Sequence, residues 1–369
     1  MRIGYDAKRA FNNHRGLGNY SRETIRIVAS HFPDCQLELF TPKIDPSLQF
    51  TCPSNATVVQ PQRGFMTSLW RTFGITKEVE KRQLDLYHGL SHELPYGIEK
   101  THIPTVVTMH DLIFIRHPEL YHTIDRKLYK TKYLHSCRIA DCVIAVSQQT
   151  KNDLIELAAI PEEKIKVVYQ GCHPAFTQQV SEIQKEIIRK KYHLPDTYLL
   201  TVGAIEPRKN QLLILKALAE GNIDLPLVIA GRKTDYIAEL QQYTHQTKLE
   251  SQVFILPNVA FDDLPALYQS ADIFIYPSQY EGFGIPVVEA LQSGVPVIAA
   301  KGSCLEESGG PGSRYISPDA PAELAEQIRI IESDNQLKER MIEEGRAYAK
   351  QFSDDAIADN IMQIYRTLL

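Results

Sequence analysis

Glu281 and Glu289 bracket a glycine-rich run, Tyr280-Glu281-Gly282-Phe283-Gly284-Ile285-Pro286-Val287-Val288-Glu289. Carboxylates placed this way can accept hydrogen bonds from the hydroxyls of a ligand. Pro286 suits the first position of a helix, and Gly294 followed by Pro296 suits its end. The backbone N–H groups of Gly282, Phe283 and Gly284 are expected at the positive end of that helix, where an anion or a hydroxyl can be met. The Cα–Cβ bond of Glu289 leans toward the helix start, so both acids are expected to line one cleft. Upstream, Asp272-Ile273-Phe274-Ile275-Tyr276-Pro277 reads as a buried strand. The turn then lies at a strand's carboxyl end, where open α/β sheets bind ligands. Two glutamates alone would more often be solvated; here glycines, strand and helix start converge.

Three further stretches carry chemistry. Leu199-Leu200-Thr201-Val202-Gly203-Ala204-Ile205-Glu206-Pro207-Arg208-Lys209-Asn210 reads as a strand, a bend and a helix start. Cations at a helix entrance oppose the positive end of the dipole, so Arg208 and Lys209 are expected to share an anion. A diphosphate would suit both, arginine as a fork and lysine as a point charge; two plain surface cations are the alternative. Gly16-Leu17-Gly18-Asn19-Tyr20 follows the first strand and could bring backbone close to a phosphate or sugar. It does not complete the dinucleotide fingerprint, which disfavours a nicotinamide dehydrogenase. His110, in Thr108-Met109-His110-Asp111-Leu112, ends a strand and could bond a sugar hydroxyl or the group being transferred; a structural histidine fits equally. D-x-D, Walker A and G-x-S-x-G patterns are absent. Charge on a leaving diphosphate would fall to Arg208, Lys209 and helix N-termini, and no metal is required.

The elements that must position these groups are strands alternating with helices, which predicts an α/β chain with parallel sheets. Strands are expected at residues 2–6, 37–40, 86–88, 105–110, 142–146 and 165–168, then at 198–202, 227–230, 253–256, 273–276 and 297–299. A chain of 369 residues suits two domains. The linker is expected within residues 170–196, where Gly171, Pro174 and Pro195 flank a charged helical piece. A helix over roughly 321–351 precedes Ser353, an N-cap, and an amphipathic stretch with Ile357, Ile361, Ile364, Tyr365 and Leu368 on one face. Six scattered cysteines offer neither metal-ligand spacing nor a disulfide framework. No apolar run spans a membrane, and the start Met1-Arg2-Ile3-Gly4-Tyr5-Asp6 lacks a signal core, so a cytoplasmic chain is expected. The net charge of −5 divides unevenly, with 22 Lys+Arg against 18 Asp+Glu in residues 1–170. The basic half could face an anionic surface or acceptor. Nucleic-acid binding is unsupported in a chain that is acidic overall.

These residues together resemble the retaining nucleotide-sugar glycosyltransferases of family 4. The resemblance covers Asp6 to Tyr20, His110-Asp111, Val202 to Asn210, and Pro277 to Val297, with Glu281 to Glu289 its most specific element. It implies the GT-B architecture: two Rossmann-like doubly wound domains facing a cleft. Residues 1–175 would bind acceptor, 176–350 would bind the nucleotide sugar, and 351–369 would form a helix crossing back to the first domain. Glu281 with Gly282, Phe283 and Gly284 would hold the donor sugar, and Glu289 the ribose. Gly203, Arg208 and Lys209 would hold the diphosphate, with Gly16 and Gly18 approaching it from the other domain. His110 would contact the transferred sugar, so His110, Glu281, Arg208 and Lys209 are the catalytic candidates. Two departures stand out: Ala204 replaces an arginine common in relatives, and Ser303-Cys304-Leu305-Glu306 lacks the proline often seen there.

The pattern is most similar to bacterial mannosyltransferases that assemble surface polysaccharide, including lipopolysaccharide. It implies GDP-mannose as donor, with UDP-sugars as the alternative, no further cofactor, and a saccharide or lipid-linked saccharide acceptor. Met66, Leu69, Trp70 and Phe73, near Arg63 and Arg71, form a stripe suited either to peripheral contact with the inner face of the cell membrane or to a core helix. A sugar-nucleotide epimerase and a non-enzymatic sugar-nucleotide-binding subunit remain as other classes.

Overall fold

The computed structural model describes residues 1–48, 50–61 and 69–369. They form two compact units, the first of residues 1–171 with 352–369, the second of residues 172–351.

Unit 1 contains β1 (Arg2–Asp6), β2 (Gln36–Phe40), β3 (Ala56–Val59), β4 (Leu86–Gly89), β5 (Thr105–Met109), β6 (Cys142–Ala145) and β7 (Ile165–Val167). The order is β3-β2-β1-β4-β5-β6-β7, and every pair is parallel. β4, β5 and β6 are buried along their whole length, as strands covered on both faces must be. The strand order reverses between β1 and β4, which makes the loops after them the natural ligand site.

The final helix, Asp354–Leu368, belongs to this unit. Ser353 caps it by accepting from the Ala356 N–H. It packs on the helix Gly16–His31, where Arg26 pairs with Asp354 at 2.7 Å and His31 meets Asp355 at 3.0 Å. Its buried face is Ile357, Ala358, Ile361, Met362 and Tyr365. Ile364 and Leu368, expected on that face, are only half-buried, because the apolar stripe turns toward Ala358 and Met362.

Unit 2 contains β8 (Leu199–Val202), β9 (Leu227–Gly231), β10 (Val253–Pro257), β11 (Ile273–Tyr276), β12 (Val297–Ala300) and β13 (Arg314–Ile316). The order is β10-β9-β8-β11-β12-β13, again all parallel. Reversal falls between β8 and β11, so the loops after those two strands share one corner. The charged piece expected in the linker is the helix Glu182–Tyr192, which packs on Leu264–Gln269 inside unit 2.

Three expectations are corrected. β3 and β13 were not anticipated. The helix expected over 321–351 is two, Pro321–Ser333 and Asn335–Ala349, because Asp334 leaves helical geometry and its carboxylate caps the second by accepting from Leu337. The apolar stripe is split: Trp70 is buried and stacks on Phe40, while Leu69 and Phe73 are exposed. Arg63 and Met66 lie outside the described residues. Among the described residues no helix is long and apolar enough to cross a membrane.

Candidate active site

The unit 2 corner is assembled from the loops after β8 and β11. Chain leaves β8 through Gly203, whose φ of +152° favours glycine. A Cβ on Gly231, at the end of neighbouring β9, would lie 1.6 Å from the Gly203 carbonyl oxygen, so the two backbones touch only because residue 231 is glycine. Arg208 and Lys209 then occupy a 3-10 turn, Pro207–Lys209, ahead of the helix Gln211–Gly221. They stand just ahead of that helix, at its entrance. Asn210, in the left-handed region, separates turn from helix and donates to the carbonyls of Pro277 (3.2 Å) and Pro318 (2.8 Å).

The anion these cations were expected to share is supplied by the protein. Glu281 Oε1 accepts from Lys209, from Ser278 Oγ at 2.6 Å and from Tyr276 OH at 3.2 Å, and lies 3.0 Å from the Arg208 guanidinium. Lys209 also donates to Tyr276 OH at 2.7 Å and sits over its ring. Arg208 donates to the Tyr280 carbonyl at 2.5 Å and to Glu206 at 2.7 Å. Burial alone would raise the Glu281 carboxyl, but the Lys209 and Arg208 charges outweigh it and hold it down to about 2. Burial pulls the Lys209 ammonium below its ordinary range, against the opposing pull of Glu281. The result is a buried, ionised carboxylate clamping two cations, a charge-dense corner that a polyanion could enter by exchange with Glu281.

Glu289 has a different environment. It lies on the helix Ile285–Ser293, half-buried, and accepts from Tyr268 OH at 2.8 Å. Burial pushes its carboxyl up to about 7. The helix begins at Gly284, whose φ is +102° and whose added Cβ would lie 2.6 Å from Leu305. Gly294 ends it in the left-handed region. Gly282 is half-buried and Phe283 is buried beside Glu281 in the turn that leads into that helix. The two carboxylates thus flank one turn but answer to different partners.

In unit 1, His110 follows β5 directly. Its Nε2–H donates to the Leu90 carbonyl at 2.9 Å, its backbone N–H donates to His92 Nε2 at 3.0 Å, and the Gln170 amide reaches Nδ1 at 3.4 Å. Tyr20 meets it edge-on at 4.5 Å. A connected chain continues from Tyr20 OH to Thr108 (3.1 Å), His88 (2.8 Å), Tyr365 (2.6 Å) and Tyr5 (3.1 Å). Burial pushes His88, His92 and His110 each down to about 3, so all three are neutral. Gly18 has a packing reason: a Cβ there would lie 1.8 Å from the Asn13 carbonyl oxygen. Gly16 opens the helix Gly16–His31 with nothing within 4 Å of where its Cβ would be, so its surroundings leave backbone approach open.

Sequence reasoning missed Tyr276, Ser278 and Tyr268 in unit 2, and His88, His92 and Tyr20 in unit 1. Tyr276 and Ser278 carried a signal, since hydroxyls at the end of an apolar strand need partners. The others are set by pairings across the fold.

Residues 16–176 match the model described as Glycosyltransferase Family 4, and residues 184–348 that described as Glycosyl transferases group 1. The chain is 31% identical over 289 residues to O-antigen chain mannosyltransferase B of Escherichia coli, covering 77% of this chain and 74% of that protein. It is 30% identical to O-antigen chain mannosyltransferase RfbU of Salmonella typhimurium, over 61% of this chain and 60% of that protein. The crystal structure of a glycosyltransferase from Rickettsia africae superposes with a TM-score of 0.78 at 18% identity, covering 100% of this chain and 98% of that one. The two parallel-sheet units are thus those of the GT-B class, and the chain is a glycosyltransferase of family 4.

Proposed function

We propose that this glycosyltransferase moves mannose from GDP-mannose to a saccharide or lipid-linked saccharide acceptor, with retention of configuration and without metal. The observation that carries the reading is the buried Arg208–Lys209–Glu281 cluster at the point where the unit 2 strand order reverses. The names of the O-antigen mannosyltransferase relatives support mannose as the sugar and surface polysaccharide as the destination.

In this reading the donor diphosphate meets Arg208 and Lys209, which stabilise the charge that grows on it as the sugar leaves. Glu281, released from part of its pairing, accepts hydroxyls of the sugar, and Glu289 those of the ribose. The bond from the sugar's anomeric carbon to the phosphate oxygen breaks, and a bond to the acceptor oxygen forms on the same face. The acceptor's proton passes to the departing phosphate oxygen. No carboxylate is required as nucleophile, and the protein supplies positioning and electrostatics. His110 would contact the transferred sugar as a neutral imidazole.

The test is a calorimetric panel of GDP, UDP, ADP and their sugars in EDTA, followed by NMR of the product's anomeric centre. Selective GDP binding with retained configuration is expected. Selective UDP binding would replace the donor, inversion would replace the mechanism, and silence across the panel from folded protein would overturn the reading.

A further inference from the structure

Every side chain that holds the Glu281 carboxylate meets the same oxygen. Oε1 accepts from Lys209, from Ser278 Oγ at 2.6 Å and from Tyr276 OH at 3.2 Å, and lies 3.0 Å from Arg208. Among the described residues, Oε2 has no hydrogen-bond or ion-pair partner. The four groups on Oε1 are of two kinds. Arg208 and Lys209 are cations, which a diphosphate attracts strongly and can draw away. Tyr276 and Ser278 are neutral hydroxyls, with no net charge for a polyanion to pull. They are also fixed in the fold. Tyr276 ends β11, is 2% exposed and stacks on Phe274 at 5.9 Å, and Ser278 is fully buried. The Ser278 hydroxyl has a second acceptor within reach, the Arg208 carbonyl at 3.3 Å, but the carboxylate is nearer and charged and takes the proton. The Tyr276 phenol accepts from Lys209 at 2.7 Å and gives its own proton to Glu281, so the loss of Lys209 leaves that donation intact.

We propose that Tyr276 and Ser278 are positioning residues for transfer. When the donor diphosphate takes Arg208 and Lys209, the two hydroxyls keep Oε1 in place, and Oε2 is presented to a hydroxyl of the donor sugar. The role rests on the transfer reading above, in which Glu281 gives up part of its pairing; the hydroxyls are the part that stays. A carboxylate has two oxygens, each able to accept, so one can be tethered while the other serves a ligand. Without the tethers, a buried carboxylate that has lost its cations would turn or take up a proton. The sugar would then be held in a poorer geometry for its bond to break.

GDP release from GDP-mannose, with water as acceptor, tests the role in Tyr276→Phe and Ser278→Ala, and calorimetry measures GDP affinity beside it. Each variant removes one hydroxyl. Losing a hydrogen bond to a charged group should lower kcat about tenfold or more in each. GDP has no sugar to place, and should bind either variant within about twofold of the native chain. Rate and GDP affinity lost in step would mean a structural role, and an unchanged kcat would mean that the hydroxyls place nothing; either result overturns the proposal. Ser278→Ala leaves the Tyr276 ring and its stack untouched, and keeps the test alive if Tyr276→Phe fails to fold. The donor is judged separately. If the native chain releases UDP from UDP-glucose and nothing from GDP-mannose, the mannose reading falls, and the same split measured with UDP-glucose and UDP supports the positioning role. GDP-mannose turnover that ignores both substitutions leaves the donor standing and sinks the role.

Discussion

The two candidate corners both lie where parallel strands end, yet they are made of opposite materials. The unit 2 corner is ionic: Glu281 is held charged between Arg208 and Lys209. Around His110 in unit 1 the hydrogen-bond partners are uncharged: the His110 backbone N–H donates to His92, and His88 bonds the Thr108 and Tyr365 hydroxyls. All three buried imidazoles are pushed down to about 3, with Asp111, Glu93 and Arg9 acting on His110 or His92 as lesser influences than burial. Burial produces both outcomes. A buried group that finds an opposite charge stays ionised, and one that finds only hydroxyls and carbonyls becomes neutral. The ionic corner is equipped to answer charge that develops on a ligand. The neutral one is equipped to orient a ligand without changing protonation near neutral pH.

The sharpest way to break this contrast is to neutralise the unit 2 carboxylate. Glu281→Gln leaves Arg208 and Lys209 buried against each other, and breaking a buried pair this way costs about 3–5 kcal/mol. The calorimetric unfolding temperature should fall accordingly, and transfer should drop by about a hundredfold or more. Unchanged unfolding with full turnover would show that the cluster contributes neither charge nor positioning. Lys209→Ala, which removes one cation and keeps the carboxylate, should weaken nucleoside diphosphate binding far more than nucleoside binding; equal losses would dismiss its phosphate contact.

Acid is the next probe, and it acts on the two corners in different windows. His88, His92 and His110 have folded pKa values depressed to about 3 from about 6.5. The unfolded chain therefore binds more protons between those values, and stability falls as pH drops through that range, by up to about 1.4 kcal/mol per unit for each histidine. Glu281, depressed to about 2, contributes stability that is present above about 4.5 and lost only below it. Glu289 runs the other way. Raised to about 7, it is protonated when folded and costs stability as pH rises from about 4.5 toward 7. Trp70, the single tryptophan and buried in unit 1, reports that unit alone. Its fluorescence-detected urea midpoint should fall steadily from pH 6.5 to pH 4. A flat midpoint would mean the histidines are charged or hydrated in the folded state.

The same contrast governs what the sequence could reveal. Interior strands such as β6 and β11 are continuous apolar runs and were readable as such. β3 and β13 were not, because each is a sheet edge, short and partly exposed, with no apolar run to mark it. Arg208, Lys209 and Glu281 were legible as charged residues beside glycines, but not as one another's partners. Sequence spacing says little about a contact between residues so far apart in the chain, and the expected anion was assigned to a ligand when Glu281 was already in place. Gly18 shows the same limit. Its glycine character reads as room for a phosphate, whereas the fold uses it to pass the Asn13 carbonyl. Asp334 was legible as a cap only once the helix break was known.

The smallest effect tests whether the neutral corner is a connected network or a set of independent bonds. Tyr365 OH lies between His88 Nδ1 at 2.6 Å and Tyr5 OH at 3.1 Å, and so ties the final helix to the unit 1 sheet. Tyr365→Phe keeps the ring and its packing but leaves a buried nitrogen and a buried hydroxyl each short of a partner, costing about 1–3 kcal/mol. The Trp70 midpoint in urea should drop by that amount. If the bonds act together, the His88 ring should also change its proton position, because its Nδ1 partner sets which nitrogen carries hydrogen toward Thr108. Nitrogen NMR of His88 reads that directly. A stability loss with an unmoved tautomer would leave the hydroxyl as a local tie, and the path through Thr108 and Tyr20 to His110 would then carry no information from the final helix.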